Sequence, residues 1–193
     1  PNGTLIVPTF TYSINKIFNK KKTPSVCGVF SEYTRQTSLG LRSKDPIFSI
    51  YAIGKYAKYL TKIKSLNNYE SFGKDSFFYK FYKLSGKIIN FNDTCASTHV
   101  HLFEKFLNVN YRKNKVFNCT ILENSKRKKR NIIFYCVKNL RKNEARFDLF
   151  HKMSLKQKFA KQVKLGLGVI TSMNIIQMKK VVEKGLKKNK NFL

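Results

Sequence analysis

The chain has 193 residues, of which 42% are hydrophobic and 14% aromatic, so it can bury one sizeable core and is not wholly disordered. Its 39 basic residues against 10 acidic ones give a formal net charge of +29, which favours an anionic partner such as nucleic acid, although the excess of Lys over Arg also fits the codon bias of an AT-rich genome. No run of about 18 apolar residues predicts a membrane span and no secretory signal opens the chain, which predicts a cytoplasmic location.

Hydrophobic periodicity and turn signals predict alternating strands and helices. In chain order they are strand 4–7, helix 29–37, strand 47–53, helix 56–63, helix 77–82, strand 87–91, helix 98–108, strands 115–123 and 131–140, helix 154–162, strand 167–173 and helix 175–187. Residues 124–130 are predicted to join the adjacent strands as an antiparallel hairpin. Asn174 is placed to cap the last helix.

This order predicts an α/β fold, with a three-layer α/β/α sandwich built on a mixed sheet. We expect one domain over residues 1–193. The sequence begins with a turn at Pro1 and goes directly into a buried strand. We therefore expect the N-terminal segment of this domain to be absent.

The most informative segment for chemistry is the predicted helix around His101. Glu104 follows three residues later, on the same helix face, where a carboxylate can orient the imidazole. His101 is therefore a candidate general base. Such a pair is also often a solvated surface contact, and the residues alone leave that alternative open. Pairing His99 with His101 as metal ligands is disfavoured because no third ligand is evident.

Three loops offer weaker signals. Residues 8–13 follow a strand end and carry hydroxyls, among them Thr9 and Thr11, that can bind a sugar or an amide. Arg42 and Ser43 lie in a basic turn that can meet phosphates. The basic run 126–130 falls in the predicted hairpin loop, where it is either a nucleic-acid contact or a solvated loop.

The cysteines indicate neither a disulfide framework nor a metal site. Cys27, Cys95, Cys119 and Cys136 form no CxxC pair and have no zinc spacing. We expect them to be reduced and structural, and we predict no metal.

Taken together, these segments resemble the aminoglycoside N3-acetyltransferase family. The matching stretches, in the same order as in the family, are 3–13, 42–49 with 53–54, 72–77, 98–104, 109–112 with Lys115 and Phe117, and 166–170. The resemblance implies an α/β/α sandwich distinct from the GNAT fold. It also implies an acetyl-CoA-dependent N-acetyltransferase that needs no metal.

The resemblance also implies roles for individual residues. His101 would take the proton from the acceptor amine, and Glu104 would hold its tautomer. The acceptor sugar would lie near Thr9, Thr11 and Asp75. The co-substrate acetyl-CoA would lie near Arg42, Ser43, Ser49 and Thr98. Tyr111 and Arg112 match a family element for which the sequence gives no role.

The acceptor is predicted from charge. Aminoglycosides are polycations, and a chain with this excess of basic residues repels them at long range. Asp45 stands where many resistance enzymes carry His. We therefore expect an anionic, nucleotide-linked or surface-polysaccharide amino sugar in preference to an antibiotic. An RNA-binding protein of ribosomal type, an inactive truncated acetyltransferase and a homodimeric assembly are alternatives that the sequence leaves open.

Overall fold

The computed structural model describes residues 2–139, 147–190 and 192–193. Its strands are β1 (Thr4–Pro8), β2 (Ile17–Phe18), β3 (Leu41–Arg42), β4 (Ile50–Gly54), β5 (Tyr69–Glu70), β6 (Lys87–Phe91), β7 (Arg112–Glu123), β8 (Lys126–Val137), β9 (Ala160–Leu165) and β10 (Gly168–Asn174). Its helices are α1 (Val29–Gln36), α2 (Ala57–Thr61), α3 (Phe77–Lys83), α4 (Val100–Phe106), α5 (Phe147–Lys156) and α6 (Ile175–Lys188). The turn predicted at Pro1 and the end of the predicted strand 131–140 at Leu140 lie outside the described residues.

The chain divides into two compact units, each made of two stretches of sequence. The first unit is Pro1–Lys80 with Asn114–Phe134, and the second unit is Phe81–Lys113 with Tyr135–Leu193. The sequence indicated one domain, and that expectation stays a prediction.

The first unit holds two sheets. Strand β4 lies between β1 and β3 and is antiparallel to both. The β7–β8 hairpin lies between two short parallel strands, β2 beside β7 and β5 beside β8, so this sheet is mixed as predicted. The α/β class is thereby confirmed.

Aromatic side chains form the core of the first unit. Phe48 lies at its centre, with ring centroids 5.1 Å from both Phe10 and Phe134 and 5.4 Å from Phe72. Edge-to-face and tilted arrangements dominate, as expected for rings that carry a negative face and a positive edge. This core fixes the loops that follow β1 and precede β4.

The second unit is an antiparallel sheet with helices. Strand β10 lies between β6 and β9, with Ile170 opposite both Phe91 and Val163. Helix α6 packs against both α4 and α5. Its apolar stripe includes Met178, Val181 and Val182, which are fully buried.

Two of the predicted boundaries in the first unit were wrong for identifiable reasons. Strand β4 begins at Ile50, not at residue 47, because the Asp45 carboxylate accepts hydrogen bonds from the backbone N–H groups of Ile47 and Phe48 at 2.8 and 3.0 Å and forms a turn there. The β7–β8 hairpin turns in two residues, Asn124 and Ser125, both with positive φ, as a type I′ turn requires. The basic run 126–130 is therefore strand, not loop.

The predicted helix 154–162 was also wrong. Helix α5 ends at Lys156, and the chain reverses through Lys158, which has a φ of 56°, into the unpredicted strand β9. By contrast, strand 87–91 was predicted with correct bounds. The predicted cap of α6 is confirmed, since the Asn174 side chain accepts the N–H of Ile176 at 2.8 Å.

Candidate active site

Helix α4 presents His101 and Glu104 in the second unit. Its apolar face holds Val100, Leu102 and Phe103, all fully buried. Phe103 stacks edge-on with Tyr82, at 5.6 Å between ring centroids. This packing buries one face of a short helix and so fixes the direction in which the other face points.

A tight turn brings two further polar residues to α4. The chain leaves the helix through Asn108, whose φ of 48° is left-handed, and the N–H of Val109 returns to the carbonyl oxygen of Glu104 at 3.2 Å. Strand β7 begins three residues later. Tyr111 and Arg112 therefore lie beside the helix residue that precedes the turn.

Glu104 is the centre of this site. Its side chain has no solvent exposure, yet three polar groups reach its carboxylate. His101 Nδ1 lies 2.5 Å from Oε2, the Tyr111 hydroxyl donates to Oε1 at 2.7 Å, and Arg112 Nε lies 2.8 Å from Oε2. A carboxylate buried with this many partners is stabilised as the anion. The alternative of a solvated surface pair is thus excluded by the structure.

The Arg112 contact is an ion pair without a well-directed hydrogen bond. Its Nε is close to Glu104, but the N–H is not aimed at the oxygen. Arg112 also donates from Nη1 to the carbonyl oxygen of Tyr135 at 3.3 Å, and its Nη2 lies 3.5 Å from His101 Nε2. The guanidinium therefore borders both the acid and the far nitrogen of the imidazole.

The electrostatics assign a charge state to each group. Burial alone would raise the pKa of Glu104, but His101, Arg112 and Tyr111 together hold this pKa below its ordinary value. Burial lowers the pKa of His101, which the Glu104 carboxylate only partly opposes and the charge of Arg112 reinforces. Burial, and then the carboxylate, raise the pKa of Tyr111. Near neutral pH the site holds an anionic Glu104, a neutral His101 and a protonated Tyr111.

This charge state fixes the tautomer of His101. The ring nitrogen next to an anionic carboxylate must carry the proton, so Nδ1–H donates to Glu104. Nε2 then has the lone pair, and a guanidinium, which can only donate, is compatible with it there. A neutral imidazole held in this tautomer is the form that a general base requires.

A small pocket opens at this cluster within the second unit. It is lined by His101, Glu104, Tyr111, Arg112, Val137, Phe147 and Leu193. The polar members are those of the Glu104 network and the others are apolar. The pocket therefore has one polar side, formed by the Glu104 network, and one apolar side, as small-molecule sites commonly do.

In the first unit, the structure brings together Thr9, Arg42, Ser43 and Ser49. The Arg42 guanidinium donates to the carbonyl oxygens of Thr9, Lys20 and Thr23 at 2.9, 3.1 and 2.6 Å, and from Nε to Ser49 Oγ at 3.2 Å. Burial, followed by the charge of Arg35, lowers its pKa to about 10. Ser43 Oγ accepts the N–H of Ile50 at 3.0 Å. These buried side chains bond within the protein, and their contacts with acetyl-CoA stay predictions.

The other predicted ligand contacts are less enclosed. The Thr11 hydroxyl donates to the carbonyl oxygen of Pro46 at 2.7 Å, and Asp75 pairs with Lys80 at 3.0 Å. Thr98 lies in the turn before α4, where its carbonyl oxygen accepts the N–H of His101 at 3.2 Å. Their roles toward sugar or coenzyme stay predictions as well.

His99 does not share the environment of His101. Its ring packs on Phe81 at 4.7 Å between centroids, Nδ1 lies 3.1 Å from Ser97 Oγ, and burial lowers its pKa to about 3. Within the described residues, no group of three His, Cys, Asp or Glu side chains gathers as a metal site would need.

The sequence places Tyr111 and Arg112 in a stretch that resembles the family, but it predicts no function for them. Their partner, Glu104, lies seven and eight residues away across a non-helical turn. No periodicity relates residues on the two sides of such a turn. The available signal was the resemblance at 109–112, which indicated that these positions matter without indicating what they touch.

Comparison with known proteins identifies the class. The sequence matches the aminoglycoside 3-N-acetyltransferase family over residues 1–187. The chain belongs to this family, whose members are acetyl-CoA-dependent N-acetyltransferases. The family and the acyltransferase class predicted from the sequence are thereby confirmed, as is acetyl-CoA as the co-substrate of the family.

Solved structures support the same fold. The chain superposes on AAC-IIIb in a binary complex with CoASH with a TM-score of 0.82 at 18% identity, covering 96% of this chain and 78% of that one. It superposes on AAC(3)-Xa with a TM-score of 0.83 at 14% identity, covering 98% and 76%. It superposes on a mutant of AAC(3)-IVa in complex with a gentamicin with a TM-score of 0.77 at 20% identity, covering 99% of this chain and 71% of that one. Among curated protein sequences, none matches this chain significantly.

The helices α1 to α6, as far as they are described, are each too short or too polar for a transmembrane segment.

Proposed function

We propose that this protein transfers the acetyl group of acetyl-CoA to an amine of an amino sugar, with His101 as the general base and Glu104 as the group that orients it. The observation that carries the proposal is the fully buried Glu104 carboxylate, 2.5 Å from His101 Nδ1. A buried acid in that position favours the imidazole tautomer with a basic Nε2.

Each residue has a defined task in the reaction. As the acceptor nitrogen forms its bond to the acetyl carbon, His101 Nε2 takes the proton that this nitrogen loses. Glu104 stabilises the resulting imidazolium, because its carboxylate is already ionised and paired with Nδ1–H. The same proton then passes to the departing thiolate sulfur. The products are the amide and the free thiol, and His101 returns to its starting state.

The contacts predicted from the resemblance form part of this proposal. We assign Arg42, Ser43, Ser49 and Thr98 to the coenzyme side, and Thr9, Thr11 and Asp75 to the acceptor side. Because Arg42 and Ser49 are buried in bonds to one another and to Thr9, they would shape the binding loops more than touch the ligand. Thr11 and Asp75 retain side-chain exposure and suit direct contact with sugar hydroxyls or amines.

For the acceptor, the family name and the gentamicin complex of AAC(3)-IVa favour an aminoglycoside. The preference for an anionic nucleotide-linked sugar rests on net charge alone. We therefore propose an aminoglycoside-type amine as the first acceptor to test, and a nucleotide-linked amino sugar as the second. The deciding comparison is kcat/KM for gentamicin against that for a UDP-linked amino sugar.

The test of the mechanism is the variant His101→Ala. We expect turnover of acetyl-CoA in the presence of acceptor to fall by at least about a hundredfold, while calorimetric binding of acetyl-CoA is retained. His151→Gln is the matched control, because this histidine contacts Cys95 on another part of the second unit. Undiminished turnover by His101→Ala would contradict the proposal. A parent protein that neither binds nor uses acetyl-CoA would instead support the inactive alternative.

A further inference from the structure

Tyr111 and Arg112 bind opposite ends of the same buried carboxylate. The Tyr111 hydroxyl donates to Glu104 Oε1 at 2.7 Å, whereas Arg112 Nε lies 2.8 Å from Oε2, the oxygen that His101 also contacts. Two anchors on different oxygens prevent the carboxylate from rotating about its terminal bond. Neither helix α4 nor the His101 contact alone does this.

We propose that Tyr111 and Arg112 are positioning residues that lock Glu104 and thereby hold His101 in its basic tautomer. This inference rests on the proposed function, because it assigns a supporting role to the general base named there. It extends that function to two residues on β7 and the turn before it. These residues do not need to touch either substrate.

The network explains how so short a helix supports a buried charge. Packing fixes the backbone of the seven-residue helix α4, but the Glu104 carboxylate is joined to that backbone through rotatable side-chain bonds that the helix itself does not fix. The backbone around Tyr111 is tied down separately: its carbonyl oxygen accepts the N–H of Lys138 at 2.9 Å. Arg112 is tied to Tyr135 through its Nη1. The anchors are therefore fixed by strand contacts and transmit that rigidity to Glu104.

Arg112 has a second effect through its charge. Its Nη2 lies 3.5 Å from His101 Nε2, the nitrogen that would become protonated. A neighbouring cation disfavours the imidazolium and so preserves the neutral base at the start of each cycle. Among the described residues, the groups near His101 that carry or can carry charge include Glu104 on α4, Tyr111 in the turn before β7, Arg112 at the start of β7 and Tyr135 on β8, whose hydroxyl is 3.4 Å from the Val109 carbonyl oxygen.

The experiment is NMR titration of the imidazole nitrogens in the full protein. The chain has three histidines, so the His101 signals can be assigned with one His101→Asn variant. In the parent protein we expect Nδ1 protonated, Nε2 unprotonated and a pKa below that of a free histidine. In Arg112→Gln we expect the pKa of His101 to rise, because the charge that opposes the imidazolium is removed. In Tyr111→Phe we expect a smaller rise and partial loss of the tautomer preference.

Kinetics provide the second readout. We expect Arg112→Gln and Tyr111→Phe to lower kcat roughly tenfold or more with little change in the KM for acetyl-CoA, and the acid limb of the rate profile to move to higher pH in Arg112→Gln. Arg112→Lys, which keeps the charge, should restore the acid limb but not the full kcat. Lys113→Gln removes the adjacent exposed charge of β7 and is the control. It should match the parent protein.

The outcomes separate the two proposals. An unchanged His101 pKa and tautomer in both Arg112→Gln and Tyr111→Phe would overturn the positioning role, even if His101 proves essential. The expected NMR shifts combined with full turnover by His101→Ala would overturn the proposed function and leave the positioning intact. If Arg112→Gln does not fold, Arg112→Lys and the shape-conserving Tyr111→Phe decide the question.

Discussion

At the scale of single residues, two histidines only two positions apart have opposite surroundings. His101 has a carboxylate on one ring nitrogen and a guanidinium near the other. His99 is buried against Phe81 and Ser97. Burial lowers the pKa of both histidines, but only that of His101 is also shifted by neighbouring charges, which are those of Glu104 and Arg112. The groups around a histidine determine its protonation state and tautomer, whereas its position on a helix does not.

His99 should make the protein sensitive to acid. Its pKa is about 3 in the folded protein, below the ordinary value of about 6.5 that the unfolded chain retains. Between these values the unfolded chain binds a proton that the folded one does not, so this contribution to stability is complete above about pH 6.5 and is lost as pH falls. We expect the free energy of unfolding of the parent protein, relative to His99→Phe, to fall by on the order of 1 kcal/mol per pH unit below about pH 6.

Urea denaturation of both proteins between about pH 7 and about pH 5 measures this difference. Comparing the two proteins cancels the other groups that titrate in this range. Among them is Asp45, whose pKa burial raises to about 6 and which acts in the opposite direction. A parent-minus-variant difference that is flat with pH would show that His99 is protonated in the folded state or accessible to solvent.

At the scale of secondary structure, the last helix shows what a local signal can specify. Asn174 ends β10 and caps α6, accepting the N–H of Ile176 at 2.8 Å while its amide donates to the Ser85 carbonyl oxygen at 2.9 Å. We expect Asn174→Ala to lower the free energy of unfolding by about 1 to 2 kcal/mol, and Asn174→Ser, which keeps a capping oxygen, by less. Chemical denaturation checks this order. Equal losses in the two variants would mean that the Ser85 contact, and not the cap, carries the effect.

Elements were predictable from sequence where such local rules decide them. The cap of α6 and strand β6 follow from residue type and from a short apolar run between turns. Strands β2 and β5 are only two residues long and exist because β7 and β8 offer them hydrogen-bonding edges, which no local pattern encodes. The charge of the run 126–130 predicted a loop, yet the two-residue turn places this run in β8. Glu123 offsets part of the charge by forming ion pairs with Lys128 at 3.3 Å and Arg130 at 3.8 Å.

The candidate site was predictable only in part, for the same reason. His101 and Glu104 share a helix face, and helical spacing is a local property. The two anchors of the carboxylate come from the far side of a turn, and burial of Glu104 depends on the whole second unit. Sequence therefore predicted a candidate base and the acid beside it, but neither their charge state nor the residues that contact the acid.

At the scale of the whole molecule, the net charge of +29 sets a long-range field that the site does not cancel. A polycationic acceptor has to approach against this field, whereas a monoamine meets less of it. The family assignment makes the polycation the first acceptor to test. Charge and family thus give opposing expectations for the same substrate, and ionic strength separates them.

We expect kcat/KM for gentamicin to rise several-fold as salt increases from about 0.01 M to about 0.15 M, because the Debye length then falls from about 30 Å to about 8 Å and screens the repulsion. A monoamino sugar, with one positive charge, should respond less, and a UDP-linked amino sugar should respond in the opposite direction. Initial rates at several salt concentrations, with acetyl-CoA saturating, measure all three acceptors. If kcat/KM for gentamicin instead falls with salt, the acceptor is attracted by acidic side chains at its binding site, and this local field outweighs the net charge of the chain.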